Sequence, residues 1–165
     1  TGRWDSSQIG LQFQPETQKV THPVTIFPIS YGSFEIPPHA AHWKVGSSYT
    51  FEDDTVVLSM LPHMHLRGTE AKYTAFYPDG KSEVLLNVPK WDFNWQTGYD
   101  YAQKKMIPKG TRVEMEFWYD NSEENGAKVG FDSSKSIRFG GPTTDEMDLA
   151  WITVAPKKEQ EIPGD

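Results

Sequence analysis

The chain of 165 residues contains no cysteine. That one absence excludes disulfides, zinc–cysteine sites, iron–sulfur clusters, blue-copper ligation and thiol catalysis together. Basic residues are outnumbered: 16 Lys+Arg stand against 23 Asp+Glu, a formal net charge of −7. Nothing supplies a basic stripe to neutralise phosphates, so no nucleic-acid partner is expected. Long apolar runs are missing as well. A stretch such as Thr55–Leu61 falls far short of the roughly 20 residues that span a bilayer, and no integral membrane segment is expected. Helical patterning is nearly absent, with no long window repeating its apolar positions every 3.6 residues.

What is present is strand. Thr55–Leu61, Ala71–Tyr77, Glu83–Val88, Thr111–Tyr119 and Glu146–Val154 are rich in β-branched, aromatic and alternating apolar residues. In Thr111–Tyr119 the residues Thr111, Val113, Met115, Phe117 and Tyr119 share one face. Shorter candidates are Leu11–Phe13, Val24–Ile29, His42–Val45, Tyr49–Phe51 and Ile137–Phe139. Pro78-Asp79-Gly80 between two strands is a hairpin turn, because Pro presets one dihedral and Gly admits positive φ. Pro62, Pro89 and Pro108 fall where strands start or end. The pattern predicts an all-β chain: one jelly-roll-like antiparallel β-sandwich over residues 1–154, with 155–165 a polar tail or linker. The polar stretch Asp120–Lys135 is expected to be a surface loop.

Chemistry concentrates at His63-Met64-His65. In an extended chain, residues i and i+2 share a face with Cα atoms roughly 6.5–7 Å apart, so both rings can reach one metal ion while Met64 turns away. No His follows residue 65. A third ligand must be a carboxylate, a thioether, an amide, water or one of the early histidines. Carboxylate suits zinc, iron or manganese; thioether suits copper. Of Met60, Met64, Met106, Met115 and Met147, the last stands out, because it follows the turn-rich, polar segment Gly140–Glu146. Asp145 or Glu146 would then orient the Met147 turn or a ligating His. His39 and His42, at i, i+3 in an extended region, point to opposite faces and read as loop histidines rather than a second metal site.

The motif His63-Met64-His65-Leu66-Arg67-Gly68, followed far downstream by Gly140-Gly141-Pro142-Thr143-Thr144-Asp145-Glu146-Met147, resembles the C-terminal domain of the copper type II, ascorbate-dependent monooxygenases. The segments FEIPPHAAH (34–42), FNWQ (93–96) and DNS (120–122) are similar to those of bacterial relatives of that family. The resemblance implies a jelly-roll sandwich and one copper held by His63, His65 and Met147. It further implies O2-dependent hydroxylation of a substrate, electrons from an ascorbate-like reductant or from a fused or separate electron-transfer protein, and a periplasmic or secreted location. The departures are specific. Where peptide-hydroxylating members carry Arg, Asn and Tyr, this chain has Leu61, Leu149 and Trp151, so glycine-extended peptides are not the expected substrate. Asp148 replaces a family Cys. The chain is also too short for the second, three-histidine copper domain.

Three rival readings remain. A cupin-like iron or manganese site would use Glu70 beside His63 and His65, but lacks its later histidine. A copper-holding or copper-delivery domain would bind without catalysis. Sugar stacking on Trp91–Tyr101, the densest aromatic stretch, would use rings that in most sandwiches are packing.

Overall fold

A computed structural model describes residues 4, 6–13, 15–17 and 23–156. Ten strands and one helix follow in chain order: β1 (Thr25–Ile29), β2 (Glu35–Ile36), β3 (Trp43–Thr50), β4 (Thr55–His63), β5 (Gly68–Phe76), β6 (Ser82–Val88), β7 (Tyr99–Ile107), β8 (Arg112–Tyr119), α1 (Glu123–Val129), β9 (Ile137–Arg138) and β10 (Leu149–Pro156). Two four-stranded antiparallel sheets, ordered β1-β10-β4-β7 and β3-β8-β5-β6, make the expected sandwich; β2 and β9 form a separate ribbon.

The core follows from alternation. In β8, Val113, Met115, Phe117 and Tyr119 are fully buried while Arg112, Glu114, Glu116 and Trp118 lie half-buried on the other face. The first sheet faces them with Val57, Met60 and Ile152. The β5–β6 hairpin closes as its turn sequence dictates: Gly80, at φ 85°, donates to the Tyr77 carbonyl at 3.0 Å. Pro62 lies inside β4 rather than at its end, opposite Ala150, but past Met60, the last residue of β4 that pairs with β7.

Several expectations are corrected. Leu11–Phe13 joins no sheet. His42–Val45 and Tyr49–Phe51 merge into β3, through Gly46-Ser47-Ser48. Edge strand β7 had no signal, because Lys104 and Lys105 interrupt it and only Ile107 is fully buried. Asp120–Lys135 is not all loop. It holds α1, capped by the Ser122 hydroxyl accepting from Asn125 N at 3.2 Å and ended by Gly130 at φ 96°. Ala155 and Pro156 belong to β10, with Ala155 buried against Val56, so the sandwich runs two residues further than expected. The rest of the expected tail, and His22, lie outside the described residues.

Candidate metal centre

β4 delivers His63 at its end, and the chain continues through Met64 and His65 into a turn that Gly68 N closes on the His65 carbonyl at 3.1 Å. The two imidazoles face each other edge-on, centroids 5.2 Å apart and planes at 86°. Met64 turns into the core, fully buried. Gly68 packs so closely on it that an added Cβ would lie 2.6 Å from the Met64 Cβ. The rings therefore share one side, as the i, i+2 spacing requires.

Hydrogen bonds orient both rings. His63 Nδ1 lies 2.6 Å from Gln96 Oε1. The Gln96 amide nitrogen donates to the Phe93 carbonyl at 3.1 Å, which sets its oxygen toward the ring. His65 Nδ1 lies 3.2 Å from the Asp145 carbonyl. Both partners are oxygens that only accept, so both Nδ1 atoms donate, and in a neutral ring the lone pair then sits on Nε2; the Pro142 carbonyl is a second backbone acceptor for the His65 ring. Burial lowers the His65 pKa below the ordinary 6.5, against the Asp145 carbonyl; nearby His63 adds to the lowering.

Leu149 pairs with His63, the last pair of the β4–β10 ladder, and Met147 lies half-buried two residues before Leu149, in the segment that leads into β10. Tyr119 Oη donates to the Met147 carbonyl at 2.7 Å and pins its backbone. The other methionines are placed elsewhere: Met60, Met64 and Met115 are core, and Met106 pairs with Val56 near the far end of β4.

Beneath the turn sits a buried ionic network. The Glu146 carboxylate accepts from His65 N at 2.7 Å and Arg67 N at 2.6 Å. Burial pushes Glu146 up to about 7, against the pull of those two N–H groups and the Arg67 charge. Arg67, only 1% exposed, donates to Asn121 Oδ1 at 2.8 Å and the Thr144 carbonyl at 2.9 Å and lies over the Phe131 ring. Asp148, fully buried, accepts from Ser30 Oγ at 2.5 Å and Tyr31 N at 2.7 Å, tying that turn to the start of β10. Asp145 thus acts on His65 through its backbone and Glu146 through its side chain.

The remaining candidates lie apart from this pair. His42 Nε2 meets Glu70 Oε1 at 3.2 Å and its ring stacks on Trp118; His39, at φ 57°, meets Glu123 at 3.4 Å. Glu70 is therefore engaged with His42. Among the described residues, no three His, Cys, Asp or Glu side chains gather to hold a metal ion. In the aromatic stretch, Trp91 is buried and its Nε1 donates to the Pro62 carbonyl at 3.1 Å, a packing role. Gln96 escaped the sequence reading as a brace. Its one signal was a polar residue inside that stretch.

No family model matches the chain, and no curated protein matches it. Among solved structures, a chain in the structure of infectious bursal disease virus Gx strain is similar at 11% identity and a TM-score of 0.32, over 81% of this chain and 31% of that one. The present chain thus spans about a third of that neighbour's length.

Proposed function

We propose that this chain is a mononuclear copper domain, with His63 Nε2, His65 Nε2 and Met147 Sδ as ligands, that supports O2-dependent hydroxylation of an unidentified substrate with external electrons. One observation carries the reading. Two imidazoles lie with ring centroids 5.2 Å apart, each with its Nδ1 against an oxygen acceptor, which in the neutral ring leaves Nε2 as the metal-binding nitrogen. Two imidazoles with a soft thioether suit copper better than iron, manganese or zinc. The sequence resemblance to the copper type II monooxygenases supports the same assignment.

A bound copper supplies one-electron chemistry with O2. The chain's own residues do the rest. Gln96 Oε1 and the Asp145 carbonyl hold the Nδ1 protons, orient both rings and raise their basicity. Glu146 clamps the His65 and Arg67 backbone and so holds the turn that carries His65. The electron donor in this reading is an ascorbate-like reductant or an electron-transfer protein, fused or separate, in a periplasmic or extracellular setting.

The test is copper titration followed by Cu(II) electron paramagnetic resonance and Cu(I) X-ray absorption, on wild type and Met147→Ala. One equivalent of copper with a sulfur scatterer that vanishes in the variant is the expected result, together with reductant-dependent O2 uptake. A site that prefers iron or manganese, or shows no sulfur, overturns it. Copper bound without O2 uptake makes the chain a copper-holding domain instead.

A further inference from the structure

Ile9, Leu11 and Phe13 alternate along an N-terminal segment outside every strand and are 87%, 73% and 82% exposed. Alternation at period two places them on one face, with Gln8, Gly10 and Gln12 on the other. This is the pattern of a half-buried strand, yet the arm joins no sheet and its own body buries none of the three. Such a segment is matched by an open sheet edge, which offers main-chain hydrogen bonds and pockets for alternate side chains.

The sandwich has four edge strands, and three are blunted. β1 carries Pro28. The β4–β7 and β5–β6 ladders each shift register, at Val57/Ser59 and Tyr73/Thr74. β7 also presents Lys104 and Lys105. β3 differs. All eight of its residues pair with β8 in unbroken register, it contains no Pro, and its one charge, Lys44, turns to Glu116 at 2.8 Å. Beside β3, where β1 approaches it and the Phe27 and Tyr49 rings lie 5.2 Å apart, runs a groove of about 550 Å³ lined by Gly46, Ser47, Ser48 and Met115, by the charged Lys44, Glu114 and Glu116, and by Ser30 and Tyr31. Within it, Ser47 Oγ is buried with no hydrogen-bond partner. Tyr31 and Tyr49, 59% and 38% exposed, supply apolar surface nearby.

We infer that residues 9–13 add as a strand to the β3 edge of a second copy of this chain, so that two copies exchange arms. Residues 6–13 carry no charge, which suits an edge whose charges are already paired with one another. Residues 14–24, if fully extended, reach at most roughly 40 Å. Two docked arms bury on the order of 1,000 Å², the scale at which an interface becomes specific.

The test is the mass in solution of the full chain by light scattering. Twice the 18.8 kDa of one chain is expected. Leu11→Asp with Phe13→Asp is expected to return the monomer without shifting the thermal melt of the sandwich by more than a few degrees. Because the chain has no Cys, a Leu11→Cys, Ser48→Cys variant reports the contact directly: a disulfide-linked dimer under mild oxidation is expected, absent from either single variant. A monomeric wild type, a dimer indifferent to the arm substitutions, or a bridge formed within one chain overturns the proposal.

Discussion

Two pairs of histidines lie 20 residues apart on this chain and behave oppositely. His63 and His65 turn their rings to one side and spend their Nδ1 protons on neutral acceptors. His39 and His42 reach separate carboxylates, Glu123 and Glu70, at half-exposed positions. The residue type is the same. The difference is what holds each ring. A neutral acceptor on one nitrogen orients the ring and leaves the other nitrogen for a metal, whereas an exposed carboxylate partner adds little stability.

Removing the clamp under the first pair should break the contrast most. Glu146→Ala orphans two buried N–H groups, those of His65 and Arg67, for a loss of about 3–5 kcal/mol, read from chemical denaturation. Met147→Ala should leave the fold near wild type and lower Cu(I) affinity by roughly 100-fold, about 2.7 kcal/mol, measured by competition with a Cu(I) chelator. Gln96→Leu frees the His63 Nδ1 proton from its anchor and should weaken copper by about 10-fold or more while the melt holds. The pH dependence has a fixed sign. Copper competes with protons at Nε2, and the His65 pKa lies below 6.5, so His65 costs no affinity above that pH and weakens binding once pH falls through its own lowered value. In the metal-free chain the same shift makes the stability contribution of His65 present above pH 6.5 and lost as pH falls. At the small end, His39→Ala and His42→Ala should each change stability by about 0.5 kcal/mol or less and leave copper stoichiometry at one. A second equivalent lost in either variant would erase the contrast between the pairs.

Much of the fold was legible because burial and alternation coincide. Val113, Met115, Phe117 and Tyr119 announce β8, and the Pro78–Gly80 turn announces the β5–β6 hairpin. β7 was not legible, since an edge strand has little apolar face to show. Seven-residue α1 is too short for periodicity to register; only its Ser122 cap and the acids Glu123 and Glu124 hinted at it. At the candidate site, the spacing of His63 and His65 could be read directly, because strand geometry is local. The partner oxygens could not. Gln96 comes from a loop 33 positions after His63, and Asp145 contributes a backbone atom that no side-chain pattern encodes. Leu11–Phe13 had a strand's pattern without a sheet on its own body, which is why reading it as part of the sandwich failed.

The two braces differ in how inheritance can touch them. His63 is held by a side chain, so a single codon at position 96 can loosen, tighten or invert that contact. His65 is held by a main-chain oxygen, and whatever residue occupies position 145 presents the same oxygen while the loop keeps its path. That path is narrow at Gly140, where an added Cβ would come within 2.2 Å of the Asp145 Oδ2. Mutation can therefore tune this centre gradually through one ring, while the other tolerates drift until a backbone change removes its support at a stroke.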